Sequence, residues 1–177
     1  MRAQWPTRDA RFVRVTLTAA YASAYWSVGE LEVWGTLSTA SPGTPLSRSG
    51  WSATASGTAS GTAPASALDG SLETRWSDGV AQNNTQWFQA DMGATRTFSR
   101  VQLIAGGVVD NAEGDYPRGY EVYVSNGGAW TLVAAGTGTG NALTITFPTQ
   151  NARYVNIHET GTDAGHWWSI AELLVLP

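Results

Sequence analysis

Residues 66–76 (SALDGSLETRW) carry oxygen donors that could bind a hard cation. The Asp69-Gly70 pair is typical of a tight turn, because glycine adopts a positive φ without a steric penalty. Such a turn bends carbonyl oxygens inward and brings the Asp69 carboxylate close to the Thr74 hydroxyl. Ca²⁺ binds this mixture of oxygens at about 2.3–2.6 Å. One loop supplies too little negative charge for a good site. The segment therefore indicates either an ordinary Asx-type turn or a metal site completed by a second carboxylate.

An internal repeat supplies a candidate for that second carboxylate. Residues 10–34 align without a gap with residues 152–176, and ten of the 25 aligned positions are identical. Both copies place a glutamate directly after a Trp-Ser-hydrophobic-small run, Glu30 in the first copy and Glu172 in the second. A carboxylate at the start of an apolar strand costs free energy unless it is paired or coordinated. We therefore expect Glu172 to complete the acidic loop. The competing interpretation is an ion pair between this glutamate and one of two arginines, Arg75 and Arg153.

The repeat also indicates how the chain is organised. The simplest interpretation is a tandem array cut inside its first copy, with residues 1–36 as the last two strands of a truncated repeat. A Ser/Thr/Pro/Gly-rich linker follows at residues 37–45, and residues 46–177 form one complete copy. Two strands without their parent sandwich expose an apolar face and an open edge. We therefore expect residues 1–36 to dock on the complete domain, to pair with a second chain as a dimer, or to be poorly ordered.

Composition excludes several classes of function. The net charge is −4 and all ten basic residues are arginine, which leaves no basic footprint for nucleic acid or an anionic membrane. Cysteine is absent, so no disulfide framework or thiolate site exists. No apolar run approaches the ~18–20 residues of a membrane span, so we expect no membrane insertion. The first residues lack the apolar core of a signal peptide, and we expect a fragment cut from a longer protein.

Short runs of alternating polar and apolar residues, separated by turn signals, indicate an all-β fold. No segment of ten residues keeps a helical period. Residues 77–86 and 106–118 are predicted as polar surface loops, and the second of them is acidic. Many short strands of this kind favour an antiparallel sandwich or barrel. The strands predicted in the complete copy are 51–55, 87–92, 99–105, 120–124, 130–134, 142–147, 153–157 and 169–176.

Five motifs follow one another in the complete copy. They are LSR with Trp51 (46–51), ALDG with TRW (67–76), YPRGYEVYVS (116–125), ARYV (152–155) and WWSIAEL (167–173). Together they resemble the discoidin family of coagulation-factor type C domains, in particular the bacterial family 32 carbohydrate-binding modules. The resemblance covers residues 46–177, with 10–34 as a fragment, and implies a jelly-roll β-sandwich of the galactose-binding-like type.

The resemblance also implies a structural Ca²⁺ bound by six residues. By position these ligands are the Ser66 carbonyl, the Asp69 carboxylate, the Ser71 carbonyl, the Thr74 carbonyl and hydroxyl, the Ala171 carbonyl and the Glu172 carboxylate. Such a set offers the six or seven oxygens that calcium prefers.

Sugar sites in this family lie in loops at one end of the sandwich. A sugar needs an aromatic ring against its C–H groups and a few polar side chains directed at its hydroxyls. Three loops offer such groups. The first contains Asp78, Gln82, Asn83 and Asn84; the second contains Asp110, Asn111, Glu113, Asp115 and Tyr116; the third contains His166 and Trp167.

Each of these candidates has a purely structural alternative. Asn83 and Asn84 could make turn bonds, Tyr116 could pack under its loop, and His166 could be a solvated side chain. Trp168 is repeated as Trp26 in the first copy and is assigned to the core, whereas Trp167 is repeated as tyrosine and is assigned to the surface.

The sequence favours a non-catalytic carbohydrate-binding module attached to a secreted polysaccharide-degrading enzyme. Paired carboxylates such as Glu113 and Asp115 could serve as a catalytic acid and base, but no buried partner is evident to separate their pKa values. Galactose-binding members carry an arginine early in the second loop, where residues 104–107 read IAGG. We therefore expect a glucan or a chitosan-type oligosaccharide as ligand. The alternative is an adhesion or lectin-type domain that binds galactose-containing glycans or a cell surface.

Overall fold

The computed structural model describes residues 13–19, 25–27, 43–106 and 114–177. The chain divides into two compact units, Met1–Pro42 and Gly43–Pro177. Most of the predicted truncated repeat lies outside the described residues, so its fold and any dimer through it stay predictions. No helix in the described part of the chain has the length and apolarity needed to cross a membrane.

The second unit is built from antiparallel strands, which confirms the predicted all-β class. The described strands are β1 (Ser52–Ala55), β2 (Trp76–Asn83), β3 (Trp87–Ile104), β4 (Gly119–Ser125), β5 (Thr131–Thr137), β6 (Ala142–Glu159), β7 (Thr162–Ile170) and β8 (Glu172–Leu176). A six-stranded sheet has the order β1-β3-β6-β4-β5, with β8 paired to β3, and β2 and β7 form a second sheet. A 3-10 helix, Pro64–Leu68, precedes the acidic loop.

Two long strands, β3 and β6, organise the larger sheet. Each has 18 residues, and each was predicted from the sequence as two separate strands. Their pairing is irregular between Asp91 and Arg96 and again between Phe98 and Arg100. Near each irregularity the alternation of buried and exposed side chains is interrupted, so the hydrophobic pattern breaks although both strands continue.

The core consists of apolar side chains that alternate along these strands. Trp76, Phe88 and Trp168 are fully buried at its centre. The Trp76 ring lies 5.0 Å from Phe88 and 5.2 Å, edge to face, from Trp168. Burial of a large apolar side chain contributes about 1.5–3 kcal/mol, and ring pairs of this geometry add about 0.5–1.5 kcal/mol. The assignment of Trp168 to the core is confirmed.

The prediction of a polar loop at 77–86 is wrong over most of its length, because β2 occupies Trp76–Asn83. This strand pairs with β7 in an interrupted register: Ser77 is opposite Ser169, but Ala81 is opposite Trp167 and Gln82 is opposite Asp163. Residues 164–166 therefore bulge out of β7. The strand was missed because several of its buried side chains are polar, so it lacks the period-two hydrophobic pattern.

Candidate functional site

The acidic loop closes on its own side chains. The Ser71 N–H donates to Asp69 Oδ1 over 2.8 Å, and the Thr74 hydroxyl donates to Asp69 Oδ2 over 2.6 Å. Gly70 has φ +90°, the left-handed conformation that the Asp-Gly pair predicted. The loop thus has the Asx-type turn of the simpler interpretation, and its carboxylate lies beside the Thr74 hydroxyl as expected.

Glu172 lies against this loop. Its Oε1 accepts the Gly70 N–H over 2.7 Å, so the structure brings the two candidate carboxylates to neighbouring positions. Its Oε2 forms an ion pair with Arg48, a partner that the sequence did not predict. Burial raises the pKa of the Glu172 carboxyl, and the Arg48 guanidinium opposes that rise. Of the two arginines predicted as alternative partners, Arg153 binds Asp91 instead over 2.7 Å.

The arrangement fits an oxygen-donor cation site with two carboxylates. Asp69 and Glu172 meet at Gly70, and Asp69 adds to the rise of the Glu172 pKa, which is a repulsion that a cation would relieve. Among the described residues no group of three or more His, Cys, Asp or Glu side chains could hold a metal. The other donors that the family resemblance implies are carbonyls and a hydroxyl. The residues predicted to supply them are Ser66 in the 3-10 helix, Ser71 and Thr74 in the loop, and Ala171 directly before Glu172.

Two of the predicted sugar-binding carboxylates are buried. Asp78 is 5% exposed, and its Oδ1 accepts the N–H groups of Val80 and Trp168, each over 3.3 Å. Asp115 is 8% exposed, and its Oδ2 accepts the Ser169 hydroxyl over 2.6 Å. Both carboxylates accept internal bonds from the last residues of β7. We therefore leave them out of the sugar-contacting set proposed below.

Asn83 and Asn84 are exposed at the turn between β2 and β3. Asn83 Oδ1 accepts the Thr85 N–H and hydroxyl, which are turn bonds of the kind anticipated as the alternative role. Asn84 has φ +59°, and its N–H donates over 3.3 Å to Glu159 Oε2. Three further candidates, Asp110, Asn111 and Glu113, lie outside the described residues and stay predictions.

Tyr116 and His166 belong to one polar cluster around Asp163. Arg118 binds Asp163 Oδ2 through Nε at 2.7 Å and Nη2 at 2.6 Å, and its guanidinium lies 4.0 Å from the Tyr116 ring centroid. His166 Nδ1 is 2.9 Å from the same carboxylate oxygen. Hydrogen bonds from the Gly165 N–H and from Arg118 lower the pKa of Asp163 to about 2. The cluster is therefore a fixed, charge-balanced surface beside Tyr116.

Trp167 supplies the exposed aromatic ring at this end of the sheet. Its side chain is 45% exposed, as the comparison of the two repeats predicted. Gln82 is buried, with 3% of its surface exposed. Its Nε2 donates to the Trp167 carbonyl over 2.9 Å and to the Tyr116 carbonyl over 3.1 Å. The carbonyls of two aromatic residues, Trp167 in β7 and Tyr116 in the segment before β4, thus share one amide. An exposed ring with hydrogen-bonding groups beside it is the combination that a sugar requires.

Sequence reasoning missed three residues that shape this region: Arg118, Asp163 and Glu159. Glu159 is 1% exposed, and it accepts the N–H groups of Gly119, Gly161 and Asn84. Burial raises the pKa of Glu159, and these bonds oppose the rise. The dipeptides Thr160-Gly161 and Arg118-Gly119 are turn signals, but nothing in the pattern shows that one glutamate joins them.

The chain matches known proteins over most of the second unit. The F5/8 type C domain model matches residues 52–173. No curated protein sequence matches the chain significantly. Among solved structures, the chain is 32% identical to chitosan-binding module 1 of a chitosanase/glucanase from Paenibacillus sp. IK-5, over 70% of this chain and 92% of that one, with a TM-score of 0.61.

Two further structures bear sugars. The chain is 28% identical to chitosan-binding module 2 of the same Paenibacillus enzyme, in complex with chitotriose, over 71% of this chain and 95% of that one, with a TM-score of 0.61. It is 27% identical to the family 32 carbohydrate-binding module of Clostridium perfringens NanJ, in complex with galactose, over 76% and 98% of the two chains, with a TM-score of 0.66. These matches confirm the predicted jelly-roll β-sandwich and the resemblance to family 32 modules. The chain therefore belongs to the F5/8 type C, or discoidin, domain family.

Proposed function

We propose that residues 43–177 form a non-catalytic carbohydrate-binding module that holds a secreted polysaccharide-degrading enzyme on a glycan. The observation that carries this proposal is the half-exposed Trp167 side chain, whose backbone carbonyl shares the Gln82 amide with the carbonyl of Tyr116, the residue covered by Arg118. The ring offers an apolar face to sugar C–H groups, and the cluster and Asn84 offer polar groups to hydroxyls. One stacking ring and a few hydrogen bonds support an affinity of about −4 to −6 kcal/mol, or millimolar to tens of micromolar Kd.

The ligand we propose is a glucan or a chitosan-type oligosaccharide. Two structures that share 28% and 32% identity with this chain are chitosan-binding modules, which favours an amino sugar. The charged residues around Trp167 favour neither a neutral glucan nor a cationic chitosan, because Asp163 is already paired with Arg118. A cationic sugar would therefore depend on the acidic residues of the second loop, Asp110 and Glu113. The galactose bound by the NanJ module makes a galactose-containing glycan the alternative ligand.

We propose that the acidic loop and Glu172 bind a structural Ca²⁺. The residues that would hold it are the predicted oxygen donors Ser66, Asp69, Ser71, Thr74, Ala171 and Glu172. The metal would supply positive charge between Asp69 and Glu172 and fix the loop to the start of β8. Arg48 already neutralises one oxygen of Glu172, so the metal would share this carboxylate with a guanidinium.

The organisation of the parent protein is also a proposal. The repeat of residues 10–34 in 152–176 supports tandem modules, and residues 1–36 could mediate a dimer. Acting on a polysaccharide implies an extracellular location.

Substitution of Trp167 tests the proposed sugar site. Trp167→Ala should weaken binding to the preferred glycan about tenfold, because it removes the stacking surface without disturbing a buried group. Trp130→Ala is the matched control: Trp130 is similarly exposed, at 43%, but lies in the turn before β5 and contacts Tyr154. Affinity electrophoresis on laminarin-type glucan, chitosan and a galactose-containing polymer measures the loss.

The salt dependence of binding distinguishes a cationic ligand from a neutral one. Binding to chitosan should weaken as salt rises and should fall in Glu113→Gln, whereas binding to a neutral glucan should change little with salt. If Trp167→Ala binds every polymer as the parent does, the sugar site lies elsewhere on the sandwich. Binding to the galactose polymer alone would replace the glucan and chitosan proposal with the lectin-type alternative.

A further inference from the structure

We propose that Gln82 is a positioning residue that holds the two aromatic residues of the sugar site in register with each other. The inference rests on the proposed function, since it concerns the same surface. Gln82 does not face the ligand. It lies in β2 with 3% of its surface exposed, and it acts through the backbone of β7 and of the segment before β4.

The Gln82 side chain makes three hydrogen bonds, which join β7 to the segment before β4. Its Nε2 donates to the carbonyls of Tyr116 and Trp167, over 3.1 and 2.9 Å, so both amide hydrogens are used. Its Oε1 accepts the Arg118 N–H over 3.0 Å. The three backbone groups belong to the aromatic residues themselves and to the arginine that covers the Tyr116 ring. One side chain therefore fixes the relative placement of all three.

The irregular pairing of β2 and β7 explains why a side chain must do this. Between Gln82, which is opposite Asp163, and Ala81, which is opposite Trp167, the three residues 164–166 leave the ladder. A bulge removes backbone partners from the residues beside it, and buried carbonyls need a replacement. Gln82 supplies that donor to the Trp167 carbonyl. The N–H of the same peptide group, which belongs to Trp168, donates to Asp78. Side chains of β2 therefore bind both polar groups of the peptide that joins Trp167 to Trp168.

A side-chain amide has the hydrogen-bonding groups that this position needs, and few other side chains have them. The role requires two donors and one acceptor within one planar group, which glutamine offers. Methionine has a similar length but cannot donate. Glutamate keeps the acceptor for the Arg118 N–H and loses both donors. A graded pair of variants, Gln82→Met and Gln82→Glu, therefore separates the donated bonds from the accepted one.

The test combines glycan affinity with a direct probe of Trp167. In Gln82→Met we expect at least a tenfold loss of affinity for the glycan that the parent binds, measured by affinity electrophoresis and titration calorimetry. The indole N–H resonance of Trp167, assigned with Trp167→Phe, should shift or broaden. Ile145→Ala is the control for a general loss of stability, because Ile145 is buried in the β3–β6 core and contacts neither loop through a hydrogen bond. It should bind within twofold of the parent.

Measurements on the parent protein keep the inference testable if Gln82→Met does not fold. The side-chain amide hydrogens of Gln82 should exchange slowly with solvent, and Gln82→Glu should reproduce the affinity loss and the Trp167 shift. Rapid exchange of that amide would overturn the inference, as would a folded Gln82→Met with unchanged affinity and an unchanged Trp167 resonance. If the parent binds no glycan, the proposed function fails, and the Trp167 resonance and amide exchange still decide whether Gln82 positions the loops.

Discussion

Asp163 ties the β7 bulge to the segment before β4. It accepts hydrogen bonds from the Gly165 N–H and from Arg118, and His166 lies within bonding distance. These partners lower its pKa to about 2, below the ordinary value of 3.8. A carboxyl whose pKa is lower in the folded state stabilises that state above the unfolded pKa and loses this contribution as pH falls through the folded pKa. We predict that Asp163→Asn melts lower than the parent at neutral pH. The difference should shrink between about pH 4 and about pH 2.

Thermal melts across this pH range, for the parent and the variant, measure the effect. In an Arg118→Met background the same Asp163→Asn change should cost less, because its main side-chain partner is gone. A difference in melting temperature that stays constant from neutral pH to pH 2 would contradict the prediction.

Individual residues show where sequence reasoning succeeds and where it stops. Trp168 could be assigned to the core and Trp167 to the surface because two repeats could be compared position by position. Asp78 and Asp115 were assigned to the sugar site because both lie in polar stretches that were predicted as loops. Their burial depends on bonds to Trp168 and Ser169, which are 90 and 54 residues away. Local patterns carry no information on such distant pairs.

The same limit appears in the strands and in the loops between them. Regular alternation located the cores of β1, β4 and β8, but it split β3 and β6 at their irregularities and missed β2 and most of β7. The meeting of the acidic loop with Glu172 was inferred from the cost of an unpaired buried carboxylate. The Arg48 that balances this charge is 124 residues away and was not foreseen.

The acidic loop gives a prediction for calcium. If Ca²⁺ binds the folded loop but not the unfolded chain, it stabilises the fold by mass action. Chelator should lower the melting temperature of the parent, and Asp69→Ala should abolish that sensitivity. Glu73→Ala is the matched control, because Glu73 is an exposed acid of the same loop outside the proposed ligand set.

Arg48 adds a second test of the same loop. Its guanidinium competes with a metal for Glu172, so Arg48→Gln should tighten calcium binding in titration calorimetry while lowering stability in chelator. A melting curve of the parent that does not change with chelator would show that the loop needs no metal.

The division of the chain into Met1–Pro42 and Gly43–Pro177 gives a prediction for its folding. The second unit contains the core residues from Ala67 to Leu176, and the first strand of that core, β1, begins at Ser52. Deleting residues 1–42 should therefore leave a domain that unfolds cooperatively in urea, with a midpoint close to that of the full chain. A broad transition in the deletion variant would show that the first unit belongs to the folding domain.

The repeat of residues 10–34 in 152–176 supports the proposal that the parent protein carries more than one module. A single shallow site binds weakly, but two linked modules on one polymer convert the second binding step into an intramolecular one. We predict that two copies of residues 43–177, joined by residues 37–42, bind an insoluble glycan about 10²–10⁴-fold more tightly than one copy. Both forms should bind a short oligosaccharide equally per site, because it cannot span two modules. Depletion assays on the polymer and calorimetry with the oligosaccharide measure the two quantities. A tandem in which one module carries Trp167→Ala should return to single-copy affinity on the polymer; if it keeps the gain, the second site is not the one that contains Trp167.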